Sequence, residues 1–153
     1  MSKKTRIIVL TVLSIYLIIQ FIPVDRTNPE FDPALKISAP PQVMSVLQKS
    51  CFDCHSNETK WPSYSYLAPV SWFIADDVSE GRRHLNFSEW GKLTPEKQDR
   101  KKKHIWDEVE EDEMPLKAYV YIHGEAKLTD DEKRLLKDWT HGLLPDLLQD
   151  KTE

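Results

Sequence analysis

Cys51-Phe52-Asp53-Cys54-His55 is the stretch around which this 153-residue chain is organised. Two thiols stand three positions apart, and a histidine directly follows the second. On one helical turn, positions i, i+3 and i+4 project to the same side. Both sulfurs can therefore bond the two vinyl groups on one edge of a haem while the imidazole coordinates the iron. The pattern predicts one covalent haem (haem c) per chain, with thioethers at Cys51 and Cys54 and His55 as the proximal iron ligand.

Two other uses of the cysteine pair are open. A thioredoxin-like dithiol has the same spacing, but it belongs at a strand-to-helix turn, and no strand-like run precedes Cys51. A structural zinc site would need two further ligands. Because the chain has only two cysteines, zinc would have to recruit dispersed histidines such as His84 or His104. Haem attachment explains the pattern more simply.

The N-terminal part of the chain has the pattern of a membrane anchor. Residues 7–24 carry no charge, and at ~1.5 Å per residue they would reach about 27 Å, close to the thickness of a bilayer core. Residues 1–6 include Lys3, Lys4 and Arg6, which favours a cytoplasmic N-terminus. A cleaved signal peptide is the alternative, but no small-x-small cleavage site follows. We therefore expect a single N-terminal transmembrane helix, a single-pass inner-membrane location and a haem domain in the periplasm.

The rest of the chain predicts a tether, a helical domain and a tail. Residues 25–40 are rich in proline and lack apolar periodicity, which predicts an extended tether. Residues 41–145 predict a small all-α, cytochrome c-like domain, and residues 146–153 form an uninformative tail. Each predicted helix is bounded by a cap, a proline or a glycine. The helices are expected from Pro41 to Cys51, from Pro69 to Gly81, from Thr94 to about Glu111, and from Thr129 to Gly142 and Pro145.

Met114 is the predicted distal iron ligand. Met1 starts the chain and Met44 lies in the first predicted domain helix, so Met114 is the methionine available to the iron. A thioether there would raise the reduction potential relative to two histidines, and the proline that follows restrains its loop. His123 is the runner-up, because it ends a short apolar stretch near Met114. An empty sixth position is also open.

Arg82 and Arg83 are candidate partners for the haem propionates, because a guanidinium pairs with a carboxylate through two hydrogen bonds. Both residues lie at the end of a predicted helix. Cations there also complement the helix dipole without any ligand. Both interpretations stay open.

Several separated motifs resemble the bacterial haem-binding domain family, whose members are small, exported and often membrane-tethered. The motifs are Cys54-His55-Ser56-Asn57-Glu58-Thr59, Trp61-Pro62, Ala68-Pro69-Val70-Ser71-Trp72, Leu85-Asn86-Phe87-Ser88-x-Trp90 and Met114-Pro115. The overall order of elements is also similar to a class I cytochrome c domain. The resemblance covers roughly residues 36–145 and implies haem attachment at Cys51, Cys54 and His55.

These features favour an electron carrier over an enzyme. No nucleophile–base pair or paired-carboxylate motif is recognisable, so we expect no catalytic residues. A haem-based sensor with an open or labile sixth site is the alternative, and a peroxidase-like enzyme would need a distal acid–base group such as His84 or His104. Residues 25–153 hold 18 basic and 25 acidic side chains, since three of the 21 basic residues precede residue 7. Nucleic acid is thus excluded as a partner, and a redox protein or a membrane oxidase or reductase is expected.

Overall fold

A computed structural model describes residues 1–144, so Pro145 and the tail 146–153 lie outside the described residues. The described part contains helices and turns and no strand, which confirms the all-α prediction. Short 3-10 segments connect the α-helices. Seven α-helices are present in residues 1–144: α1 Lys3–Ile19, α2 Pro41–Ser50, α3 Phe52–His55, α4 Val70–His84, α5 Pro95–Glu110, α6 Lys117–Ile122 and α7 Asp130–Thr140.

The N-terminal helix is shorter than predicted. α1 ends at Ile19, and the Gln20 side chain turns back to pair with the Ala68 backbone, donating to its carbonyl at 3.1 Å and accepting from its amide at 2.9 Å. The uncharged part of the helix therefore covers only residues 7–19, or about 20 Å at ~1.5 Å per residue. Within residues 1–144, no helix combines the length and the apolar character needed to cross a membrane. The prediction of a transmembrane helix is therefore wrong, and so is the single-pass inner-membrane location that depended on it.

The domain core lies between α2, α5 and α7. Val43 and Leu47 of α2 and Leu136 of α7 are fully buried, and Trp106 of α5 packs beside them. The predicted capping box starts α7: the Thr129 hydroxyl accepts from the Glu132 amide, and the Glu132 carboxylate accepts from the Thr129 amide. These local signals placed α2, α5 and α7 correctly.

The segment 25–40 lies against the domain over much of its length. Ile37 is buried, and its amide donates to the carbonyl of Phe87 at 2.8 Å. Asn28 donates from its side chain to the carbonyl of Thr59 at 2.9 Å. Residues 25–40 have the composition of a tether, but these two hydrogen bonds connect them to Thr59 and to Phe87 of the domain.

α4 continues through the glycine that was predicted to end it. It runs to His84, three residues beyond Gly81. Gly81 instead marks a close contact between helices, because a Cβ built on it would lie 2.6 Å from the carbonyl oxygen of Cys54. The glycine allows α4 to lie directly on α3, and the two helices together form one wall of a cavity.

Candidate haem-binding site

The cysteine–histidine motif forms a single tight turn at the end of α2. The amides of Cys54 and His55 both donate to the carbonyl of Cys51, at 3.2 and 2.9 Å. Phe52 points the other way, into the core, where its ring stacks on Phe87 with centroids 5.2 Å apart. The buried phenylalanine anchors the turn. Cys51, Cys54 and His55 are thereby left to line one cavity.

The imidazole of His55 is held in one tautomer. Its Nδ1 lies 3.0 Å from the carbonyl oxygen of Gly81 and 3.1 Å from that of Leu85. Carbonyl oxygens only accept, so Nδ1 carries the proton and Nε2 keeps its lone pair. Burial lowers the pKa of His55, although the two carbonyls oppose this effect, so the ring is neutral near pH 7. A neutral imidazole with a fixed second nitrogen is the form that ligates a metal.

The polar residues after His55 lock the motif to the loop that follows α4. The backbone amide of Asn57 donates to the hydroxyl of Ser88 at 2.9 Å. The side-chain nitrogen of Asn86 donates to the side-chain oxygen of Asn57, also at 2.9 Å. Ser56 and Thr59 donate to carbonyls within the motif itself, at 2.7 and 2.6 Å. The motif that begins at Cys54 and the motif that begins at Leu85 thus form one hydrogen-bonded unit.

The cavity has a volume of about 370 Å³, within the range of small-molecule and cofactor sites. Residues of α2 to α5, of the loop after α5 and of α6 form its wall. Its lining is Ser50, Cys51, Asp53, Cys54, His55, Asp77, Glu80, Gly81, His84, Leu85, Phe87, Lys101, His104, Ile105, Glu108, Val109, Met114, Pro115, Leu116, Tyr119 and Leu128. Apart from a rim of charged side chains, this surface is apolar and suits the flat face of a porphyrin.

Both cysteine thiols are protonated near neutral pH, because their pKa values are raised. Burial raises the pKa of Cys51 to about 12, with a smaller contribution from Cys54. Burial, Asp77 and Asp53 likewise raise the pKa of Cys54 to about 12. A catalytic dithiol requires the opposite, a thiolate stabilised near neutral pH. For zinc, residues 1–144 bring together no group of three His, Cys, Asp or Glu side chains able to hold a metal ion.

The model of the haem-binding domain matches residues 14–142. The chain belongs to the haem-binding domain family. No curated protein and no solved structure matches it. The match confirms the resemblance of the sequence motifs to this family, and it identifies haem as the ligand.

The cavity of this haem-binding domain fits the group that the family binds. His55 supplies an Nε2 lone pair, and two thiols stand on the same turn. This set of donors, on an otherwise apolar wall, fits a haem held by two thioethers and one imidazole.

The predicted distal ligands are placed differently. Met114 lines the cavity, in the loop that follows α5. His123 lies outside the lining: its Nε2 is hydrogen-bonded to the hydroxyl of Tyr64, and its ring stacks on Tyr119 with centroids 4.5 Å apart. The structure thus brings Met114, and not His123, into the cavity with His55.

The two arginines proposed for the propionates also lie outside the lining. Arg82 uses four of its five N–H groups on protein oxygens, namely those of Ser56, Thr27, Asn28 and Thr59. Arg83 is exposed and pairs with Glu80. Their contact with a propionate stays a prediction.

Three residues of the site were missed by sequence reasoning. Gly81 packs against the backbone of Cys54, and Lys101 is one of the residues that line the cavity. Tyr119 donates its hydroxyl hydrogen to the carboxylate of Asp53 at 2.7 Å. Burial, then Asp53, raises the pKa of Tyr119 above its usual range, so its hydroxyl stays a donor. No sequence-local pattern distinguishes these residues. A glycine inside an otherwise regular helix was the one available signal, since such a glycine often has a packing role.

Proposed function

We propose that this chain is a monohaem c-type cytochrome that carries electrons, with thioethers at Cys51 and Cys54 and His55 on the iron. One observation supports it above the others. All three side chains of the motif line one apolar cavity, with the Nε2 of His55 left as its free ligand atom. We propose no catalytic residue.

The bound haem would supply a one-electron couple at its iron. The protein's own contribution is rigidity. His55 is fixed by two carbonyl oxygens, and Phe87 packs edge-on against its ring with centroids 6.2 Å apart. Because Phe87 is fully buried, the ring cannot turn without moving the core. A ligand held in this way moves little between oxidation states, which favours electron transfer.

Covalent attachment is tested first, on full-length protein produced with a haem-maturation system. We expect the colour to stay with the polypeptide after acid–acetone extraction, and the pyridine haemochrome spectrum to be that of two thioethers. Single Cys51→Ala and Cys54→Ala variants should each give the spectrum of one thioether, and the double variant should release its haem. A wild-type protein that is colourless, with two free thiols, would refute the proposal.

The distal ligand is tested by comparing Met114→Leu with Met44→Leu. Met44 is partly buried beside the domain core, so its variant controls for the loss of a thioether elsewhere. If Met114 ligates the iron, the ferric wild type shows a weak band near the red end of the spectrum, which Met114→Leu loses and Met44→Leu keeps. The reduced Met114→Leu protein should then bind carbon monoxide. Rapid carbon monoxide binding by the wild type would instead favour the sensor function.

A further inference from the structure

The charged rim of the cavity is asymmetric. Asp53 and Asp77 lie near the thioether edge, since Asp53 directly precedes Cys54 and Asp77 lies one helical turn before Gly81, which contacts Cys54. His84 follows Asp77 by seven residues on α4, which is two helical turns along the same face, or about 10 Å. Carboxylates therefore mark one end of the α4 wall. The other end is bordered by Lys101, His84 and His104, and Glu80 and Glu108 lie beside the two histidines.

Lys101 is the notable cation at this second end. It extends from α5 to donate to the backbone carbonyl of His84, the last residue of α4. Of the carboxylates nearer to this end, Glu80 pairs with Arg83, and Glu108 lies 3.6 Å from His104, an ion pair only when that imidazole is protonated. Among the described residues, no carboxylate lies within ion-pair distance of Lys101. Lys101 is thus the one lysine or arginine among the lining residues, and its ammonium group has no carboxylate partner in the described part of the chain.

We infer that Lys101 binds a propionate of the haem. This inference rests on the proposed function and adds the orientation of the ligand. Two anionic propionates are repelled by Asp53 and Asp77 and attracted by an unpaired ammonium group. With the vinyl edge fixed at Cys51 and Cys54, the propionate edge turns toward Lys101 at the α4–α5 end. His84 and His104 flank this position on the exposed side of the lining.

The test uses haem-loaded, full-length protein and three variants: Lys101→Gln, Lys101→Arg and Lys103→Gln. Lys103 lies on the same helix and is exposed, so its variant removes an equal charge outside the cavity. The propionate bending bands of the resonance Raman spectrum report a hydrogen bond to that group directly. We expect them to shift in Lys101→Gln, to remain close to wild type in Lys101→Arg, and to be unchanged in Lys103→Gln.

Reduction potentials provide a second measurement. Loss of a positive charge beside the haem favours the ferric iron, so Lys101→Gln should lower the equilibrium constant for reduction by about threefold to tenfold. Lys103→Gln should leave it unchanged. Identical propionate bands in haem-loaded wild type and Lys101→Gln would overturn the inference while leaving the proposed function intact. Failure of the wild type to bind haem would instead overturn both.

Discussion

Replacing Gly81 by alanine tests the contact that positions His55. The new Cβ would lie 2.6 Å from the carbonyl oxygen of Cys54 and 3.2 Å from the Cβ of Cys54. An ordinary contact begins near 3.4 Å, so α4 and α3 must separate by about 0.8 Å. The nearest obstacle is backbone, which cannot rotate away as a flexible side chain would. The strain therefore falls on the helix pair.

Two opposing effects set the size of the change in stability. Overpacking of this kind costs about 1–3 kcal/mol. Alanine is also the better helix former, which returns about 1 kcal/mol within a helix such as α4. We therefore expect Gly81→Ala to lower the free energy of unfolding by about 0–2 kcal/mol, and not to raise it. The separation should also weaken the 3.0 Å hydrogen bond from His55 to the carbonyl of Gly81.

Urea denaturation of the full-length protein measures the first effect, and Gly124→Ala is the matched control. No heavy atom of the described residues lies within 4 Å of a Cβ built on Gly124, so its variant should stay within about 0.5 kcal/mol of wild type. The absorption spectrum of haem-loaded protein reports the second effect, through the bands sensitive to the proximal ligand. A Gly81→Ala protein about 1 kcal/mol more stable than wild type, with an unchanged spectrum, would refute the reasoning.

Three further substitutions probe the core, the polar lock and the last helix. Phe87→Leu removes a fully buried aromatic stack and should lower the free energy of unfolding by about 1–3 kcal/mol, measured in urea. Ser88→Ala leaves the amide of Asn57 buried without its acceptor and should cost about 1–3 kcal/mol in the same assay. Glu132→Ala removes a capping box and should cost about 1 kcal/mol at pH 7. Lys49 and the Thr129 cap hold the pKa of Glu132 below 4.5 despite partial burial, so this difference should shrink as the pH falls through that lowered pKa.

Exposed residues of the same types serve as controls. Phe73 is 68% exposed, so Phe73→Leu should leave the stability within about 0.5 kcal/mol of wild type. Ser79→Ala and Glu113→Ala change exposed side chains and should behave likewise. If any control lowers the stability as much as its buried counterpart, the local contact is not the cause. For Glu132→Ala, a difference from wild type that stays constant down to acid pH would exclude the ion pair with Lys49.

Features of the fold that depend on neighbouring residues were predictable from the sequence. The Thr129 capping box, the Thr94-Pro95 start of α5 and the apolar spacing of α2 are written within a few residues of each other. The cysteine–histidine motif is local in the same sense, because one turn of chain places both thiols and the imidazole. The shared side of Cys51, Cys54 and His55 was therefore predictable from the sequence, whereas the other residues of the cavity wall were not.

Features that depend on distant contacts were not predictable in this way. α1 ends where Gln20 pairs with Ala68, which lies 48 positions away. Gly81 was expected to end α4, but its role is a contact with Cys54 that periodicity cannot reveal. Lys101 stands in the basic run 100–103, and only the approach of α5 to α4 gives it a place in the lining. Hydropathy likewise identified the run 7–24 but not the turn that divides it.

The hydrogen bonds of Arg82 have a consequence for the smallest unit that can fold. One guanidinium joins the backbone of Thr27 and the side chain of Asn28 to the carbonyl of Ser56, directly after His55. A protein shortened to begin at Pro41 would leave part of this guanidinium unpaired and would also lose the buried side chain of Ile37. A truncation boundary drawn at Pro41 would therefore cut through contacts of the folded domain, which extend upstream at least to Thr27.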